Sequence, residues 1–123
     1  MPENPPTTGN DERNDSPGAR LLGDLVLSGD PQRMVTMLEI RLSPYLRLSG
    51  ISCRLDHGMN AGLYEAGEPC ESMLVLSVSS DEATLGEIAW YRPEPFAPEE
   101  EELLYRTTRL LARALGKLEK SLP

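Results

Sequence analysis

Between Ile51 and Tyr91 the chain drops the helical hydrophobic period and takes up short segments joined by very short links. Ile51, Cys53 and Leu55 alternate with Ser52, Arg54 and Asp56, the pattern of a half-buried strand. His57-Gly58-Met59-Asn60 reads as a turn, Ala61 to Ala66 as a second strand and Gly67-Glu68-Pro69 as a loop. The third segment, Glu71 to Ser79, holds Met73, Leu74, Val75, Leu76 and Val78 almost without interruption, which predicts a central strand. Ser80-Asp81-Glu82 is a tight turn, and Ala83 to Tyr91 pairs back on the third strand as a hairpin. Parallel neighbours need a crossover of roughly a dozen residues or more, and no link here approaches that. The sheet is therefore expected to be antiparallel.

Helical patterns flank this block. Leu21, Leu22, Leu25 and Val26 follow the i, i+3/i+4 spacing within Ala19–Ser28, although Gly23 opposes a helix by about 1 kcal/mol relative to Ala. Gly29 supplies a stop. Asp30-Pro31 supplies an N-cap and a first-turn proline for a second helix, expected from Pro31 to about Leu42 and ended or kinked by Pro44 near Ser43. Its stripe is Met34, Met37, Leu38 and Tyr45. The last helix, Pro98 to about Lys120, has Glu99 to Glu102 at its start and Arg106, Arg109, Arg113, Lys117 and Lys120 further on, each sign at the end its dipole favours. Helix, helix, four or five antiparallel strands, helix describes an α+β fold: one sheet with helices packed on a face.

Residues 1–18 contain Pro2, Pro5, Pro6 and Pro17 and no Val, Ile, Leu, Phe, Tyr or Trp. Such a segment buries too little apolar area to offset its ordering entropy and is expected to be a disordered tail, leaving 19–123 as one domain. Twelve Lys and Arg against twenty Asp and Glu give 12 − 20 = −8. That charge disfavours nucleic acid and anionic membrane surfaces as partners. MPENPPTTGN has neither the basic region nor the apolar stretch of a secretory signal, and no apolar run is long enough to span a bilayer, so a cytoplasmic location is expected.

One segment carries a signature. Leu85-Gly86-Glu87-Ile88-Ala89-Trp90-Tyr91-Arg92-Pro93-Glu94-Pro95-Phe96-Ala97-Pro98-Glu99-Glu100-Glu101 resembles the end of a GAF domain. That family closes with a strand of the form L-G-x-L-x-L, a turn, and P-F-[ST]-x-E-[DE] opening the last helix. Leu85-Gly86 and Ile88 match the strand, Pro95-Phe96 the turn, and Glu99 to Glu102 the acidic start. Gly86 lets something approach the strand closely, and Phe96 plugs the gap between sheet and helix. Ala97 departs from the usual Ser or Thr, so the side-chain N-cap is missing and a less rigid helix start is expected. The likeness spans about Asp30 to Leu118, with only Leu85 to Glu102 specific.

The resemblance implies a compact bacterial module of the sensor or dimerisation-platform kind found ahead of diguanylate cyclases. No such catalytic segment lies in this sequence, so an output domain is expected to be another chain or absent. The leading expectation is a non-catalytic regulatory domain working through homodimerisation and protein contacts. A small-molecule receptor is the alternative, with a pocket between the sheet and Gly58–Cys70 lined by Met59, Leu63, Tyr64, Met73 and Trp90. Ligand-binding members spend many residues between the second and third strands, whereas this chain has only about Gly67 to Glu71. The family also has a methionine sulfoxide reductase branch, which would make Cys70 or Cys53 a nucleophile. Glu68 and Glu71 give Cys70 the wrong electrostatics for a lowered pKa, and Cys53 reads as core.

Other chemistry has a plainer reading. Asp56-His57 is better explained as a solvated turn than as an acid–base pair. Cys53, His57 and Cys70 lack the C-x₂₋₄-C spacing of structural zinc. Glu99 to Glu102 are a helix start rather than a cation site. No cofactor or metal is assigned. Along the last helix Leu104, Thr108, Leu111, Leu115, Leu118 and Leu122 repeat at 4, 3, 4, 3, 4, the heptad rhythm, beside a second row of Leu103, Thr107, Leu110 and Ala114. Two adjacent rows either make one broad stripe buried within a monomer or let the helix face its own sheet with one and a second copy with the other, in a bundle with the helices around Leu21–Leu46. The expected signalling and dimer residues are Leu104, Thr108, Leu111, Leu115 and Leu118.

Overall fold

The computed structural model describes residues 17–121 apart from positions 57, 72 and 82. The proline-rich stretch 1–16, His57 and Leu122 therefore lie outside the described residues. Among the described residues three helices, α1 (Pro17–Ser28), α2 (Pro31–Leu46) and α3 (Pro98–Ser121), flank in sequence four strands, β1 (Gly50–Leu55), β2 (Gly62–Gly67), β3 (Met73–Ser79) and β4 (Thr84–Tyr91). The strands form one antiparallel sheet in the order β2-β1-β4-β3. This is the α+β architecture expected from the short links.

Two boundaries and one sheet position depart from expectation. α1 starts at Pro17, two residues inside the predicted tail, because proline suits the first turn of a helix. α2 passes through Pro44 and ends at Leu46. The hydrogen bond that Pro44 forgoes would run to the Ile40 carbonyl, and both residues lie on the exposed side of the helix. Leu46 is buried and anchors the final turn, which Arg47 closes in the left-handed conformation (φ 58, ψ 42) with its N–H on the Ser43 carbonyl. β3, the most apolar strand, lies at the edge of the sheet and not at its centre. β1 and β4 hold the centre, each paired on both sides. The apolar run of β3 supplies side chains to both faces rather than a doubly paired strand.

Register fixes which side chains share a face. Ile51, Cys53 and Leu55 of β1 sit beside Trp90, Ile88 and Gly86 of β4, and beside Ala66 and Tyr64 of β2. Leu74, Leu76 and Val78 of β3 continue that face. The helices cover it: α2 packs on β1 and β2, α3 on β3, and α1 against α3 and α2. Leu25, Met34, Val35, Leu38, Ile51, Ile88, Trp90, Leu104, Leu111 and Leu115 form one buried cluster between the layers. α2 is started by Asp30, whose carboxylate accepts from the Arg33 N–H at 2.9 Å, and tied to α1 by Arg41 on Asp24. The opposite face, with Arg54, Leu63, Glu65, Met73, Val75, Ser77 and Glu87, is exposed. No described helix is long and apolar enough to cross a membrane.

Candidate functional site

The segment that carries the family likeness forms the joint between the sheet and α3. Gly86 sits where β4 meets β1, opposite Leu55. A Cβ there would collide with the Arg54 carbonyl, so the glycine permits close backbone approach, as its place in the motif predicts. Four residues further along the same strand, Trp90 is fully buried and its Nε1–H donates to Thr108 Oγ1 of α3 at 3.3 Å. Thr108 in turn donates to the Leu104 carbonyl at 2.8 Å.

Beyond β4 the chain turns around Arg92, whose guanidinium is almost wholly buried. Its Nε donates to the Glu94 carbonyl at 2.9 Å, Nη1 to the Leu46 carbonyl at 2.8 Å and Nη2 to the Pro95 carbonyl at 2.6 Å. Both Nη atoms also donate to Glu100, and the guanidinium carbon lies 4.3 Å from the Phe96 ring centroid. Glu100 Oε1 further accepts the Ala97 N–H at 2.8 Å, while the Ala97 carbonyl takes the first helical bond from Glu101. Glu100 thus closes the helix start from the third position, half of a capping box. The loose start expected of Ala97 is corrected: the cap comes from the helix side, braced by Arg92. The hydrogen bonds from Arg92 and then from Ala97 hold the Glu100 carboxyl down to about 2. Nothing in the local sequence marks Arg92, because three of its partners are backbone carbonyls, one of them 46 residues away.

The row proposed as a dimer face is used inside the chain. Leu104, Thr108, Leu111 and Leu115 are buried, and Leu118 is partly buried against the same cluster. Of the second row, Thr107 and Ala114 are buried as well, Leu110 is partly buried and Leu103 is exposed. α1 and the sheet between them cover the first row and the buried part of the second, so the two form one broad stripe.

The five expected pocket residues do not converge. Tyr64 and Trp90 lie on the helix-covered face; Leu63 and Met73 lie on the open face, 59% and 56% exposed. Met59 is on the β1–β2 turn, 77% exposed. Period-2 alternation separates Leu63 from Tyr64, and the β3 register sends Met73 away from Trp90's side. Cys53 is buried among the core side chains, and burial pushes its thiol up to about 12. Cys70 is half buried on the loop before β3. No cluster of three metal-ligating side chains occurs among the described residues.

Grooves mark the surface of the described residues. One of about 350 Å³ runs along α2 beside Arg33, Met37 and Ile40. One of about 430 Å³ lies where the β3–β4 turn meets the end of α3, lined by Ser79, Ser80, Asp81, Arg109, Arg113 and Lys117. A third, of about 320 Å³, lies at the start of β3 and α3, with Glu71, Met73, Leu74, Phe96 and Glu101. No protein-family model matches the chain, and no curated protein or solved structure shows significant similarity to it.

Proposed function

We propose that this chain is a non-catalytic, GAF-like regulatory module of the cytoplasm that works through homodimerisation and contacts with another protein, its signal relayed along α3. The observation that carries this reading is the attachment of α3. One helix is pinned at its start by the Arg92–Glu100 fork, near its middle by Trp90 on Thr108, and along its length by α1. A displacement of β4 would therefore move α3 as a body. Exposed apolar side chains, Leu27, Ile40 and Tyr45 on the helices and Leu63, Met73 and Val75 on the sheet, offer contact surface. The acidic balance of −8 favours protein over nucleic acid as the partner.

Light scattering on the full chain across a dilution series tests the first step. A mass of two chains that dissociates on dilution is the expected result. A mass of one chain at every concentration overturns the reading.

A further inference from the structure

The two edges of the sheet are finished differently. β2 carries the charge of Glu65, begins and ends on Gly62 (φ 153) and Gly67 (φ 72), and has its Glu65 carbonyl occupied by the Gln32 side-chain amide at 2.9 Å. These devices discourage a further strand. β3 carries no charged residue and no proline from Met73 to Ser79, and its register with β4 is regular until the Val78/Ser79 step. An uncharged edge that pairs regularly over most of its length is a template for another strand.

The charges beside that edge select what pairs with it. α3 runs in the same direction as β3. Its acidic start sets Glu101 beside Glu71 and Met73, and its basic end sets Arg109, Arg113 and Lys117 around Ser79 and Asp81. The edge is therefore acidic where β3 begins and predominantly basic where it ends. A second copy turned by a two-fold axis, with its β3 antiparallel to this one, brings acidic end to basic end twice over.

We infer that two copies of this chain pair edge to edge through β3, making one continuous sheet with Glu101 of each protomer facing Lys117 of the partner subunit. The pairing would cover the half-buried Leu74 and Leu76 on one face and the exposed Met73 and Val75 on the other. It rests on the homodimer reading above and assigns that dimer a surface other than the α3 row.

Three variants of the full chain, Val75→Lys, Glu101→Lys and Lys117→Glu, test it by light scattering and sedimentation; all three positions are exposed. Val75→Lys is expected to run as one chain with an unchanged circular dichroism spectrum. Glu101→Lys and Lys117→Glu are each expected to raise the dimer dissociation constant about tenfold at low salt, and an equimolar mixture of the two to regain wild-type affinity as a heterodimer. The mixture keeps the test decisive should Val75→Lys fail to fold. A wild-type dimer indifferent to all three changes, with no gain on mixing, overturns the β3 seam and leaves the homodimer reading standing. A wild-type chain that is monomeric throughout overturns both.

Discussion

Arg92 and Glu100 meet fork to fork, Nη2 to Oε1 at 2.6 Å and Nη1 to Oε2 at 3.0 Å, across the turn that joins β4 to α3. The planar guanidinium fills this geometry while three carbonyls take its remaining hydrogens. Arg92→Met would leave those carbonyls without their donor and the Glu100 carboxylate with the Ala97 N–H alone, and Arg92→Lys would keep the charge but lose the fork. Both are expected to lower the thermal midpoint, with Lys recovering less than half of the loss. Thermal unfolding followed by circular dichroism checks this, and a Lys variant as stable as wild type would refute it.

The same pair predicts a pH dependence. The Glu100 carboxyl is held at about 2 in the fold against an ordinary 4.5. A depressed folded pKa gives stabilisation that is complete above about 4.5 and fades as pH falls toward 2. The stability gap between wild type and Glu100→Gln should therefore be constant from neutral pH to about 5 and shrink through that acid window. Urea unfolding of both proteins at a series of pH values measures the gap; a gap that widens in acid contradicts the assignment.

Much of this joint was written in local pattern, and the rest was not. Gly86 and the Pro95-Phe96 turn stood out because each needs a particular residue at a particular backbone position. The α3 stripe was visible as apolar spacing, yet spacing says only that Leu104, Leu111 and Leu115 need cover, and α1 and the sheet supply it. β3 looked central because Leu74, Val75 and Leu76 are apolar in succession; nothing local records that β1 takes the place beside β4. Of the five residues expected to line a pocket, the sheet pleat divides Leu63 and Met73 from Tyr64 and Trp90, and Met59 stays on the turn.

Glycines sort by what a methyl group would meet. Gly86→Ala drives Cβ into the Arg54 backbone, which cannot yield without opening the β1–β4 ladder, and is expected to cost about 1–3 kcal/mol or more. Gly23 in α1 and Gly116 in α3 have open space around them, so alanine there should stabilise by roughly 0.5–1 kcal/mol each. Denaturant midpoints of the three variants decide it; a tolerated Gly86→Ala would show that the close approach is not required.

Thr108 and Thr107 are neighbours on α3, both buried, with different duties. Thr107 Oγ1 donates only to the Leu103 carbonyl, whereas Thr108 Oγ1 also accepts from the Trp90 indole. Valine at 108 keeps the shape and orphans a buried N–H, an expected loss of about 1–2 kcal/mol, while Thr107→Val should cost less than about 1 kcal/mol. Equal losses at the two positions would remove the indole bond as the link between β4 and α3.

Cys53 and Cys70 should part under a thiol reagent. Cys53 faces the helices between Tyr64 and Ile88, and burial alone raises its thiol to about 12, so both access and thiolate are denied at mild alkaline pH. Cys70 lies on a loop and is partly open to solvent. One thiol per chain is expected to react promptly in the native protein and the second only on unfolding. The raised pKa also means that stability contributed by the neutral Cys53 thiol is full below about 9 and declines as pH climbs toward 12, a decline Cys53→Ala would not show. Two equally fast thiols in the folded chain would place Cys53 outside the core and undo the β1 register from which the whole helix-facing surface is read.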